Sequence, residues 1–206
     1  MTRFIQKGCV PPAALTLALA FFASTLLSPC SPLLAGPLSE AAAAAEAKAK
    51  TGDALGAYDT MRQALADFSG SLPLMIGKGL FTETVPTAYG IYTPRKNTTF
   101  RPGEPLITYL ELVGLTWKPA EETGKQQTSF SVDFELTDSK GVVLATQKTF
   151  GNFGFTGLYR NQEVFTHLTL DLSGAAPGDY ILRYIVTDTA GARSARLEQP
   201  FTIALQ

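Results

Sequence analysis

Few residues in this chain could do acid–base, nucleophilic or metal chemistry. His167 is the single histidine, and Cys9 and Cys30 are the only cysteines. A zinc or iron site draws on several such ligands, so the composition offers little material for one. Asp133, Glu135 and Asp138 are spaced for the face and turn of a sheet and not for a calcium loop. No Gly-x-Ser-x-Gly segment occurs, and no glycine-rich phosphate loop runs from a strand into a helix. His167 sits on the polar side of an alternating run, beside Thr169 and Asp171, and reads as a surface or cross-strand histidine. The sequence therefore reads as a non-enzyme, with no catalytic residue, metal ligand or cofactor assigned.

Two stretches have the residue types of a recognition surface. In the first, Phe150 to Asn161, Phe153, Phe155 and Tyr159 are interleaved with Gly151, Gly154 and Gly157, and Arg160 follows. Aromatic rings on a flexible loop make good partner contacts. The competing reading has the rings cap the open end of a sandwich, because aromatic side chains seek burial. The second stretch holds Tyr92 and Arg95, together with Tyr109, Glu111 and Trp117. Over 105–113, Ile107, Tyr109, Glu111 and Val113 share one face of an alternating strand. Glu111 is then a carboxylate among apolar neighbours, and Arg95 is its candidate partner. That pairing is either a structural ion pair or part of a small polar pocket ringed by Tyr109 and Trp117. Asn97-Thr98-Thr99 fits the N-glycosylation pattern, which only a eukaryotic secretory route would use.

The elements that must position these residues begin after a leader. Arg3 and Lys7 precede an uncharged apolar run from Ala13 to Leu27, and Pro29, Pro32 and Pro37 break any helix beyond it. This is the pattern of a secretory signal over 1–35, and it falls short of the ~20 apolar residues of a membrane span. Retained, it would be the chain's membrane anchor. Leu27-Ser28-Pro29-Cys30 resembles a lipoprotein acceptor site, although proline directly before the cysteine departs from that pattern. Residues 36–206 contain no cysteine, so stability must come from a hydrophobic core and not from disulfides. Without the leader, 15 basic residues face 18 acidic ones, a net charge of −3. The absence of a basic block leaves no footprint for nucleic acid. With 45% hydrophobic and 17% charged residues, the chain is not intrinsically disordered.

Residues 36–70 read as a helical lead-in. The alanine tract 38–50 has high helix propensity and Ser39 as its candidate cap, but is too bare to be stable alone and reads as a spacer. A second helix over about 54–68 is capped by Asp53 and carries Leu55, Tyr58, Met61, Leu65 and Phe68 on one apolar stripe. That stripe is expected to pack on the following domain, with an oligomerisation or docking helix as the functional alternative. The segment resembles a tetratricopeptide hairpin, but no second copy follows at the ~34-residue period of an array. Residues 71–84 read as an apolar linker lying on the domain over 85–206.

In that domain the period changes from 3.6 to 2. Strands are predicted at 88–92, 105–113, 129–137, 142–149, 164–172, 179–188 and 194–204, with turn residues between them. The short turn at 138–141 makes 129–137 and 142–149 a hairpin, and 179–188 pairs likewise with 194–204. The expected fold is mainly β, an antiparallel sandwich of about seven or eight strands preceded by one or two α-helices. The segment from Leu170 through Pro177-Gly178-Asp179-Tyr180 resembles a tyrosine corner. With Phe100-Arg-Pro-Gly-Glu104 and the closing Pro200-Phe201, it is similar to the Ig-like and fibronectin-like modules of exported bacterial proteins. That resemblance implies a fold and carries no chemistry.

The expected function is a non-enzymatic binding or scaffolding protein of the cell envelope, periplasmic or secreted. Its partner would be a protein recognised through sandwich loops. The alternatives are a carbohydrate-binding module stacking glycan on Trp117, Tyr92 and Tyr159, and an Ig-like protease inhibitor using 150–161 as bait. Each requires the named aromatic residues to be exposed.

Overall fold

A computed structural model of the chain describes residues 36–122 and 124–205. The leader expected over 1–35, with its Cys30, lies outside the described residues. Among the described helices none is long and apolar enough to cross a membrane.

Two helices come first, α1 (Pro37–Lys50) and α2 (Ala54–Ser71). The start of α1 differs from the expected Ser39 cap. Gly36 takes the cap position and Pro37 the first turn, where a preset φ and a missing N–H cost nothing. Gly52 ends the helix at φ +89°, a left-handed conformation that glycine adopts without strain. Asp53 then caps α2, its carboxylate accepting the Gly56 N–H at 2.9 Å. α1 is no loose spacer: it lies against α2, its Ala45 is buried, and Lys48 Nζ donates to Thr60 Oγ1 of α2 at 2.9 Å.

The rest is mainly β, in two sheets. One is antiparallel in the order β1 (Met75–Thr82), β3 (Leu106–Val113), β7 (Val164–Leu170). The other runs β2 (Thr99–Phe100), β9 (Arg193–Ile203), β8 (Gly178–Asp188), β5 (Gln126–Asp138), and both β4 (Lys118–Pro119) and β6 (Val143–Gly157) pair with β5. The short β2 runs parallel to β9, whereas the remaining strand pairs are antiparallel. Both expected hairpins form, β5 with β6 and β8 with β9. At the first turn, Asp138 Oδ1 accepts from the N–H groups of Lys140 and Val142, both at 2.9 Å.

The core lies between the sheets and follows the alternation. Leu106, Leu110, Leu112, Val164 and Leu168 from the small sheet meet Phe130, Val132, Phe134, Leu182, Tyr184 and Val186 from the large one. Phe81, Phe100 and Phe201 close one end, edge to face at 5.2–6.3 Å. Tyr180 stacks on Phe201 at 5.4 Å, and its hydroxyl donates to the Ala176 carbonyl at 2.6 Å, which is the tyrosine-corner contact.

Two expectations about boundaries are corrected. The segment over 71–84 is not a linker, because its residues 75–82 are the strand β1, paired with β3 from Met75↔Val113 to Thr82↔Ile107. Gly79 permits this: a Cβ there would come within 2.6 Å of Leu197 Cδ2. Residues 88–92 form no strand and make only a bridge between Ala88 and Ile91, beside the Thr82–Pro94 bridge.

Candidate functional site

The aromatic segment 150–161 is largely strand and not loop. β6 continues through Gly157, so alternate side chains turn inward. Phe153 and Phe155 stack on Phe130 at 5.1 and 6.1 Å, and Phe150 meets Phe134 edge-on at 4.8 Å. Gly151 leaves room for this packing, since a Cβ there would lie 2.6 Å from the Phe153 ring as it now sits. Phe153 and Phe155 are thus part of the core margin and not a recognition loop. Trp117 is likewise half-buried against the core. The stacking platform needs Trp117, Tyr92 and Tyr159 exposed and the bait loop needs 150–161 exposed; Trp117, Tyr92, Phe153 and Phe155 are half-buried, and Tyr159 is 55% exposed.

Tyr159 and Arg160 face α2 instead of solvent ligand. The Arg62 guanidinium lies 3.6 Å above the Tyr159 ring centre, and Arg160 Nη2 bonds Asp67 Oδ1 at 2.6 Å. A third basic residue, which sequence reasoning missed, holds the end of the helix. Arg193 Nη1 donates to the Leu72 carbonyl at 2.6 Å and the Gly70 carbonyl at 3.3 Å, and its Nη2 reaches Thr116 Oγ1 at 2.6 Å and Asp188 Oδ2 at 3.4 Å. A cation at the carbonyl end of a helix also complements its dipole.

Asp188 anchors that cluster. It is fully buried and accepts the N–H groups of Thr116, Ala190 and Gly191 at 2.9–3.0 Å. Burial pushes its carboxyl up, but hydrogen bonds from Thr116, Gly191 and Ala190 outweigh burial and hold it below the usual range. Gly191 cannot carry a side chain, because a Cβ would sit 2.2 Å from Thr116 Oγ1. Ala190-Gly191 sits in the turn between β8 and β9. Its role in fastening α2 depends on contacts distant along the chain.

The second predicted constellation assembles in part. Tyr109 is buried, and its hydroxyl donates to Glu111 Oε1 at 2.9 Å while accepting the Gly90 N–H at 2.8 Å. Tyr92 packs on Tyr109 with ring centres 4.4 Å apart, and Phe165 flanks the other side at 5.7 Å. Burial pushes the Tyr109 phenol up to about 12; Glu111 adds to this, and the Gly90 N–H opposes it. Lys78, paired with Glu111 across β1–β3, lies 5.8 Å from the Tyr92 ring. Hydrogen bonding to Tyr92 raises the Lys78 pKa, with the charges of Tyr92 and Glu111 adding to it. Lys78 was hidden while 71–84 read as a linker. Arg95 does not pair with Glu111. It bonds Glu104 Oε1 at 2.5 Å and the Thr99 carbonyl at 2.8 Å. The tight turn over 101–104, closed by Glu104 N–H to the Arg101 carbonyl, presents Glu104 there. Partial burial pushes the Glu104 carboxyl up, but the Arg101 N–H and Arg95 outweigh it and hold it low. The Tyr92–Tyr109–Glu111 group therefore latches the segment 83–95 onto the outer face of the small sheet. Among the described residues, no group of three or more His, Cys, Asp or Glu side chains could hold a metal ion.

The helical hairpin presents the surface left over. Leu55, Tyr58, Met61, Leu65 and Phe68 of α2, expected to be covered, are all exposed, as is Leu38 of α1. A groove of about 960 Å³ beside them is lined by Leu38, Ala41, Ala64 and Phe68, with Asp59 and Arg62 at its polar wall. Contacts with the sandwich use Arg62, Asp67 and the carbonyl end of α2, so the stripe stays outside.

Known proteins place this chain in no family. No family model matches it, and no curated protein does. Solved structures with some likeness include the PKD domain of an M14-like peptidase from Thermoplasmatales archaeon SCGC AB-540-F20. It is 10% identical, with 65% of this chain and 98% of that one covered and a TM-score of 0.34. A conjugative transposon lipoprotein from Bacteroides eggerthii is 12% identical over 64% of this chain and 98% of that one, with a TM-score of 0.28. A family 123 glycoside hydrolase from Clostridium perfringens is 9% identical over 66% of this chain and 28% of that one, with a TM-score of 0.41. At this level the likenesses carry no functional argument.

Proposed function

We propose that this chain is an exported, non-enzymatic binding or scaffolding protein of the cell envelope, whose recognition element is the α1–α2 hairpin carried on an Ig-like sandwich. The observation that carries this is the exposed α2 stripe on a hairpin fastened to the sandwich at three points. Large contiguous apolar patches on a monomer mark interaction sites. Fastening through Arg193, Arg160 and Arg62 orients the patch before binding and lowers the ordering cost. The segment 150–161 offers less to a partner, because Phe153 and Phe155 turn inward and Tyr159 packs under the Arg62 guanidinium. Export is supported by the leader pattern over 1–35. The Ig-like reading is supported by the strand orders β1-β3-β7 and β9-β8-β5-β6, which correspond to the A-B-E and G-F-C-C′ sheets, and by the Tyr180 corner.

The test is cross-linking in intact cells, with fractionation to place the protein. Wild type should appear in the envelope or medium and give a discrete adduct that Tyr58→Glu with Leu65→Glu abolishes. An adduct untouched by these changes moves the binding surface away from the hairpin, and a cytoplasmic location overturns export.

A further inference from the structure

We propose that the α2 stripe binds the α2 stripe of a second copy of this chain, the two helices lying antiparallel across a two-fold axis. This rests on the hairpin being the recognition element and names its partner.

The spacing of the stripe makes it self-complementary. An axis between positions 61 and 62 carries Leu55 of one copy onto Phe68 of the other and Tyr58 onto Leu65. At the axis the Met61 side chains of the two copies lie beside each other, while Arg62 stays turned to Asp59 at 3.0 Å and the Tyr159 ring. Each large apolar side chain away from the axis thus meets another. A closed two-fold interface demands this, because one patch must serve as both partners.

The area reaches the lower end of what a specific interface needs. At the exposures of these side chains, the stripe with Leu38 leaves on the order of 600 Å² of apolar surface open per chain. Two copies together approach the ~1,200 Å² at which specific interfaces begin. The pair of hairpins would form a four-helix arrangement, with the sandwiches outside.

The experiment measures the mass of the purified full chain by light scattering and sedimentation across a concentration series. We expect a dimer, and a rise of more than about 100-fold in its Kd for Leu65→Glu, which changes one hot-spot position in both copies. The sandwich Tm of that variant, measured on the monomer, should not move. With Cys9→Ser and Cys30→Ser as background, Met61→Cys should cross-link to its own copy under mild oxidation. Leu55→Cys alone should not, because its copies lie about 20 Å apart along the axis at 1.5 Å per residue. Leu55→Cys combined with Phe68→Cys should. A monomeric wild type, a dimer indifferent to Leu65→Glu, or cross-linking by Leu55→Cys alone would each overturn the proposal. If the purified protein is monomeric while the cellular adduct is still lost in the stripe variants, the second copy is wrong and the hairpin as recognition element stands. If the stripe variants change neither mass nor adduct, both fall.

Discussion

The sandwich and α2 display apolar residues with equal regularity and use them in opposite ways. In β5, Phe130 is 1% exposed, and Phe153 and Phe155 stack above it. In α2, Leu55 is 80% exposed, and its stripe partners are open as well. Both patterns have the right period for their element. The difference is what lies opposite. Each sheet has the other sheet, whereas α2 turns its small and polar residues toward α1 and the sandwich and leaves its large ones outside. Periodicity establishes that a face is apolar. Whether that face is core or contact is a property of the neighbours.

Substitution in the two regions should separate these uses most widely. Phe130→Ala is expected to cost about 3–5 kcal/mol by urea unfolding, as for a buried aromatic ring. Leu65→Ala should cost no more than about 0.5 kcal/mol in the monomer, as at an exposed site. Equal effects would break the comparison and make α2 part of the core.

The junction between the regions comes next. Asp188→Ala removes a buried acceptor of three backbone N–H groups and should cost about 3 kcal/mol. Its folded-state pKa is lowered, so its stabilisation is full above the unfolded carboxylate value and is lost as pH falls through the folded one. Wild-type stability should therefore drop on acidification below about pH 4, and Asp188→Ala should flatten that drop. An unchanged acid limb would assign it to other carboxylates.

Arg193→Ala should act on one region more than the other. Global stability is expected to fall by about 1 kcal/mol, while amide exchange in α1 and α2 accelerates and that of β5 and β8 does not. Uniform acceleration would mean that hairpin and sandwich open together. The most local effect is expected at Tyr109→Phe, about 1 kcal/mol for a lost hydroxyl, with faster exchange confined to 83–95. A spectrophotometric titration should show this phenol still protonated where ordinary tyrosines, near pH 10, have ionised.

Legibility in the sequence followed the locality of the signal. β5, β7 and β8 alternate cleanly and were legible, and the Asp138 turn and Tyr180 corner use contacts within a few residues. β1 was not, because Gly77, Lys78 and Gly79 interrupt its alternation, and only Leu197 across the core explains Gly79. Glycine misled again at 150–157, where Gly151 reads as flexibility and in fact makes room for Phe153. Residue type alone points Arg95 to Glu111, but a four-residue turn delivers Glu104 first. The Tyr109–Glu111 contact was within reach, since alternation puts residues two apart on one face.

By itself the sequence determined the elements whose signals are local: α2 with its Asp53 cap, most long strands, and a cysteine-free stretch over 36–206 that must rely on packing. Only the tertiary structure decided that Phe153 and Phe155 are core, that Arg193 and Asp188 fasten the hairpin, and that the α2 stripe faces outward. The physical reason is that hydrophobicity and hydrogen-bonding capacity belong to a residue, whereas burial and partnership belong to the pair of surfaces that meet, and chain distances such as that from Leu72 to Arg193 leave no local trace.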